Sequence, residues 1–200
     1  MKILVTGTSQ GIGKAIAELF IKRGHCVVGM DRQDATICSD NYTHYRLDVR
    51  DREHYPEISN VDILINNAGI ALAGVTELLP ILEIEKIMNV NVMGVIHCTQ
   101  AFLPLMQKGG KIINISSPCG DFPLPFRTMY CTTKSAVSMF SYCTRLELKK
   151  AGIIVSAMCP GNIFTNLSKN RVKIEATNQK YGDELKKATD KINKESSKRM

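Results

Sequence analysis

Apolar residues along this chain gather in short unbroken runs, and between the runs they return every three or four positions. The runs are "KILVT", "CVVGMD", "YRLDV", "VDILINNAG", "GGKIINISS" and "GIIVSAMCPG". They are short, β-branched and bounded by glycine or polar residues, which predicts strands. The stretch "KAIAELFIKRG", residues 84–106 and residues 128–150 carry the helical period instead. Strands that alternate with helices predict βαβ units and a parallel sheet with right-handed crossovers. Consecutive apolar positions within a strand predict burial on both faces, so helices should cover the sheet on both sides. The pattern therefore predicts an α/β doubly wound sheet of about six strands. Only "VRDREHYPEISNVDILI" separates Asp48 from Asn66, which shortens one crossover to a turn or two. After Thr165 the chain turns polar and no further strand is expected. Tyr181, Leu185, Ala188 and Ile192 recur at helical spacing there and predict one amphipathic helix.

Composition narrows the class. A chain of 200 residues, 44% hydrophobic and 22% charged, is that of one soluble globular domain. No apolar run approaches the roughly 20 residues that span a bilayer, so no membrane partner is expected. The first residues lead straight into a strand, so no cleaved signal is expected. Seven cysteines are scattered without C-x-x-C spacing, and four histidines are equally dispersed. Reduced thiols in a cytoplasmic protein and no metal site are the expectation. The net charge of +7 suggests nucleic acid at first sight, but residues 169–200 hold ten basic and five acidic residues. Most of the excess thus belongs to a tail whose only interleaved aromatic is Tyr181, so a solvated helix is expected and no nucleic-acid partner.

Chemistry concentrates at the ends of the strands. In "LVTGTSQGIGKAIAELF", Gly7, Gly11 and Gly13 lie between a strand and a helix start. Such a turn lets backbone approach a ligand and points free N–H groups at it, a site suited to phosphate. Asp31 ends the next strand about 20 residues on, where a carboxylate accepts hydrogen bonds from ribose hydroxyls and disfavours a 2′-phosphate. Arg32 follows and suits that phosphate, so both cofactor forms stay open. Asp48, at the end of a third strand, is placed to reach an adenine edge or to cap a helix. In "NNAG", Asn66 and Asn67 can tie neighbouring strand ends together. In "MYCTTK", Tyr130 and Lys134 are four apart and share one helix face. An ammonium beside a phenol lowers its pKa and suits it to general acid–base work. Ser117, thirteen residues upstream at a strand end, could hydrogen-bond the same substrate oxygen.

Together these segments resemble the short-chain dehydrogenase/reductase family. "TGTSQGIG" is similar to its TGxxxGxG loop, "NNAG" to its signature and "NVNVMG" to its helical asparagine motif. Ser117, Tyr130 and Lys134 match its serine and YxxxK, and "CPGNIFT" resembles its P-G-x-x-x-T segment. The glycine spacing differs from the TGxxGxxG of the extended, epimerase branch. The resemblance covers residues 1 to about 167. It implies a Rossmann-like sheet of order 3-2-1-4-5-6, with residues 1–167 as the dinucleotide-binding and catalytic domain. Residues 168–200 would be a basic helical tail or substrate lid. It implies hydride transfer between NAD(P) and an alcohol or ketone, with Asn91, Ser117, Tyr130 and Lys134 as the catalytic set. Asn91 would hold a water that links Lys134 to solvent, and Lys134 would also bind the nicotinamide ribose. Cofactor contacts are implied at Gly7, Ser9, Gln10, Gly11, Ile12, Gly13, Asp31, Arg32, Asp48 and Val49. Further contacts are implied at Asn67, Ala68, Gly69, Tyr130, Lys134, Pro160, Gly161, Ile163 and Thr165. A small-molecule substrate and a homodimer or homotetramer are the implied partners. The family's last strand and the helix before it have no counterpart here. The edge thereby left open should be covered by the tail helix or by a partner. A dinucleotide-binding scaffold or sensor without turnover is the alternative reading. "PCGDFPLPFRTM" offers Phe122, Leu124, Phe126 and Met129 as an apolar pocket wall.

Overall fold

The computed structural model describes residues 1–161, 163, 167, 170–174, 180, 181, 183, 184, 186–188 and 190. The elements of the main body follow in the order β1 (Lys2–Thr6), α1 (Gly11–Lys22), β2 (Cys26–Asp31), β3 (Tyr42–Arg46), β4 (Ile63–Asn66), β5 (Leu72–Ala73), α2 (Ile81–Met88), α3 (Gly94–Phe102), β6 (Lys111–Ile115), α4 (Thr128–Glu147), β7 (Ile154–Met158) and β8 (Val172–Lys173), and the described residues 183, 184, 186–188 and 190 are helical. Six strands form one parallel sheet in the order β3-β2-β1-β4-β6-β7. Leaving out the two-residue β5, this is the expected order 3-2-1-4-5-6.

Alternation along the strands divides the core in two. Ile3, Val5, Val27, Ile63, Ile65 and Ile115 face one side and pack with Ala17 of α1. Leu4, Val28, Met30, Leu64 and Ile112 face the other, against Cys98 and Phe102 of α3. Each such side chain contributes roughly 1.5–3 kcal/mol by leaving water, which is why the central strands read as unbroken apolar runs. The shortened crossover between β3 and β4 is a single 3-10 turn, Arg52–His54. Tyr55 covers the sheet where a helix would lie: its ring stacks on Phe102 with centroids 5.5 Å apart, and its hydroxyl donates to the Val49 carbonyl.

The stretch expected as one helix over residues 84–106 starts earlier, at Ile81, and is interrupted by a π-helical turn, Asn89–Met93. The part after Thr165, expected to be strand-free, contains β8, which pairs in parallel with β5. Two-residue strands carry no periodicity, and this pair exists because the loop after β4 offers backbone groups to it. Val172 N–H donates to the Ala71 carbonyl (3.2 Å) and Ile174 N–H to that of Ala73 (2.9 Å). The open edge was expected to meet the tail helix or a partner; of the described tail residues, Lys180 lies 3.9 Å from Glu77 and Ala188 lines the cavity described below. On the edge strand β7, Ile154 and Met158 stay 49% and 47% exposed. Leu185 and Ile192 lie outside the described residues. Among the described residues no helix is long and apolar enough to cross a membrane.

Candidate active site

The turn from β1 into α1 is built from glycine for two separate reasons. Gly7 and Gly11 have positive φ, 76° and 59°, where a side chain is strained. At Gly13 the need is space: a Cβ would sit 2.1 Å from the Gly7 carbonyl oxygen and 2.4 Å from Asn67 Nδ2. Asn67 staples this turn to the end of β4, donating from Nδ2 to the carbonyls of Thr6 (2.9 Å) and Gly7 (3.1 Å). Thr6 Oγ1 in return accepts from the N–H groups of Asn67 and Ala68. Asn66 Nδ2 donates to Asn114 Oδ1 (2.8 Å) and to Thr99 Oγ1 (3.3 Å), tying β4 to β6 and α3.

Asp31 closes the loop from the side. Its Oδ2 accepts from Ser9 N–H and its Oδ1 from Gln33 N–H, both at 2.9 Å. Each carboxylate oxygen has a second lone pair, so hydroxyl donors can still be received. Asp48 is held by Arg50, whose Nε and NH2 donate at 3.0 and 2.9 Å. That guanidinium keeps the Asp48 carboxyl below the usual carboxylate range.

At the other end of the site, Ser117 follows β6 and Tyr130 and Lys134 lie one turn apart on α4. Lys134 is buried, and its Nζ donates to the Ile115 carbonyl at 2.8 Å. Burial pushes its pKa down to about 8. The nitrogen stands 5.8 Å from the Tyr130 ring centroid. Burial raises the Tyr130 pKa, and the groups that act against it are the Ser117 hydroxyl and the charges of Arg171 and Arg127. Asn91 sits in the π turn, buried; its Oδ1 accepts from Ile70 N–H at 2.8 Å. Its Nδ2 donates to the Ile70 carbonyl (3.0 Å) and to Thr133 Oγ1 (3.1 Å). The amide thus links the loop after β4 to α4, one residue from Lys134.

One cavity of about 650 Å³ runs between these two ends. Gly7, Gln10, Gly11, Ile12, Asp31, Arg32, Asp48, Val49, Asn67, Ala68 and Gly69 line it, as do Ser117, Tyr130, Lys134, Pro160, Gly161 and Ile163. Ser9, Gly13 and Asn91 stand behind that lining and act through hydrogen bonds or packing. Thr165 lies outside the described residues. Of the expected apolar wall, Phe122 and Leu124 line the cavity and Phe126 and Met129 do not. Among the lining residues missed from sequence are Arg127 and Arg171. Arg127 is the cap of α4, three residues before Tyr130, a readable signal; Arg171 is brought in just before β8, which is not readable.

Residues 1–176 match the family model for short chain dehydrogenase. The 3-ketodihydrosphingosine reductase of Bacteroides thetaiotaomicron is 35% identical over 96% of this chain and 76% of its own length. A short-chain dehydrogenase of Streptomyces avermitilis superposes with a TM-score of 0.86 at 29% identity, covering 96% of this chain and 77% of that one. The closed form of serine dehydrogenase complexed with NADP+ gives a TM-score of 0.79 at 31% identity over 96% and 81%. Fold order, cavity and these likenesses agree: the chain belongs to the short-chain dehydrogenase family.

Proposed function

We propose that this oxidoreductase uses a nicotinamide dinucleotide to interconvert an alcohol and a carbonyl, with Tyr130 exchanging the proton. The observation that carries this reading is the single cavity lined at one end by the glycine turn and at the other by Ser117, Tyr130 and Lys134. The turn fits a pyrophosphate, because its glycines let the chain fold tightly from β1 into the N-terminus of α1, an end that favours an anion. The NADP+ held by the related serine dehydrogenase supports the same class of cofactor here. When bound, the dinucleotide supplies or accepts the hydride. Asp31 receives ribose hydroxyls and favours NAD(H), and Arg32 beside it leaves NADP(H) open.

Ser117 orients the substrate oxygen, and its hydroxyl favours the ionised phenol of Tyr130. Tyr130 donates the proton in reduction and accepts it in oxidation. Lys134, held on the Ile115 carbonyl, and Asn91, braced by Ile70 and Thr133, keep α4 in register with the loop after β4.

Titration with NADH and NADPH, followed by cofactor fluorescence, tests the first half. NADH binding tighter than NADPH binding is expected, and binding of neither removes the reading. The second half is tested in Tyr130→Phe, which should lose about 100-fold or more in turnover while binding cofactor as before. Full turnover by that variant would take Tyr130 out of the chemistry.

A further inference from the structure

Tyr42 and His44 belong to β3 and do not line the cavity, yet they join the glycine turn to the loop that follows Asp31. The Tyr42 hydroxyl lies 2.8 Å from Thr8 Oγ1 and 2.8 Å from His44 Nδ1. The other imidazole nitrogen, Nε2, lies 2.9 Å from the Gln33 carbonyl. Thr8 follows Gly7 in the turn, and Gln33 lines the cavity two residues after Asp31. Tyr42 reaches Thr8 by crossing β2, and Gly29 leaves the gap. A Cβ there would sit 2.1 Å from the Tyr42 hydroxyl and 2.6 Å from Thr8 Oγ1. Glycine weakens a strand interior and marks a close approach, which here is the path of the phenol.

The chemistry of the partners gives these hydrogen bonds one direction. A carbonyl oxygen only accepts, so His44 Nε2 carries a proton and, in a neutral imidazole, Nδ1 accepts. Tyr42 therefore donates to His44 and accepts from Thr8, which is fully buried. Burial raises the Tyr42 pKa, the Thr8 hydroxyl lowers it and the Asp31 charge raises it again, so the phenol keeps a proton to donate. Ser9 closes the path into a ring. Its Oγ donates to the Asp34 carbonyl at 2.9 Å and to the Gln33 carbonyl at 3.4 Å, and its own carbonyl accepts from Thr36 Oγ1 at 2.8 Å. The N–H groups of Ser9 and Gln33 are the two that hold the Asp31 carboxylate. One connected network thus sets that carboxylate and the glycine turn in a single frame, and such networks hold more firmly than their bonds taken singly.

We infer that Tyr42 and His44 are positioning residues for the dinucleotide. By coupling Thr8 to Gln33 they keep the Asp31 carboxylate in register with the glycine turn and sharpen the choice between NAD(H) and NADP(H). This rests on the dinucleotide reading of the cavity and adds to it two residues outside the lining.

Fluorescence titration of the full chain with NADH and NADPH reads the effect, at a temperature where circular dichroism shows each variant folded. Tyr42→Phe removes the central hydroxyl. It should weaken NADH binding by about tenfold and NADPH binding by less, moving the ratio of the two affinities toward NADPH by about threefold or more. A general loss of stability would lower both alike. Thr8→Val, which keeps the shape and loses the hydroxyl, should repeat that shift, and Thr8→Ser should restore the wild-type ratio. Both losses lie on one path, so Tyr42→Phe combined with Thr8→Val should cost no more than either alone. His44→Ala should give the same shift and serves if Tyr42→Phe fails to fold. A ratio unmoved in Thr8→Val and in Tyr42→Phe or His44→Ala overturns the inference, as do fully additive losses in the double variant. Binding of neither cofactor by the wild-type chain removes the dinucleotide reading and the inference with it. Wild-type binding with an unmoved ratio in the variants removes only the roles of Tyr42 and His44.

Discussion

Lys134 is 6% exposed and spends its ammonium on the Ile115 carbonyl rather than on a carboxylate. Its pKa falls to about 8, against an unfolded value of ~10.4. Between those two values the unfolded chain binds more protons than the folded one, so this lysine makes stability rise with pH across that window. Cys98 acts in the opposite sense, since burial pushes its thiol up to about 12. A difference between chains isolates the lysine. Lys134→Met should gain on the wild type at pH 7, and that gain should shrink by on the order of 3 kcal/mol as the pH rises to about 10.5. Chemical denaturation at several pH values reads it, and a pH-independent gap would mean that the amine keeps its ordinary pKa on folding. Asp31 is the other residue whose single charge decides something. With both oxygens already receiving backbone N–H groups, Asp31→Ala should loosen the Ser9 and Gln33 loop ends and reduce NADH affinity by about tenfold. NADPH binding should hold or improve, because the repelling charge is gone. An unchanged NADH:NADPH ratio would hand cofactor choice to Arg32.

At the scale of elements, the strands and α1 were legible because burial on both faces leaves nothing polar along Ile3–Val5 or Ile63–Ile65. The glycine turn was legible too, but not the division of labour within it. Spacing alone treats Gly7, Gly11 and Gly13 alike, whereas only the first two need a positive φ. Gly13 answers to the Asn67 amide at the end of β4, a residue distant in sequence, which no local pattern reveals. Gly13→Ala should therefore push the Gly7 carbonyl and the Asn67 staple apart. Cofactor affinity should fall by tenfold or more, with stability lower by roughly 1–3 kcal/mol. Calorimetry and a melting curve together read this, and an alanine accepted without loss in either would mean the turn relaxes freely. The π turn at Asn91 escaped the sequence reading for a related reason. Its extra residue is stabilised by Ile70 and Thr133, partners 21 and 42 positions distant, not by its own helix.

For the whole molecule, residues 168–200 were expected as a tail or lid of the same domain, and β8 within them pairs with the main body. The sheet and its helices were readable up to Met158, but β8 joins the main body through Leu72 and Ala73, which are 2% and 4% exposed. A two-residue strand contributes too little apolar length to be seen in sequence, yet its loss opens buried surface. Ile174 packs closely on Gly74, where a Cβ would lie 2.9 Å from the Ile174 Cβ. The same pairing sets Arg171 beside Tyr130, so the segment bears on stability and on the site at once. Comparing a chain ending at residue 174 with one ending at residue 170 separates these contributions from everything that follows. The shorter chain should lose roughly 1–3 kcal/mol from uncovering Leu72, Ala73 and their backbone partners, seen as a melting temperature lower by roughly 5 °C. Equal melting of the two chains would mean that the β5–β8 pair adds no stability, and residues 171–174 would then belong with the tail rather than with the sheet.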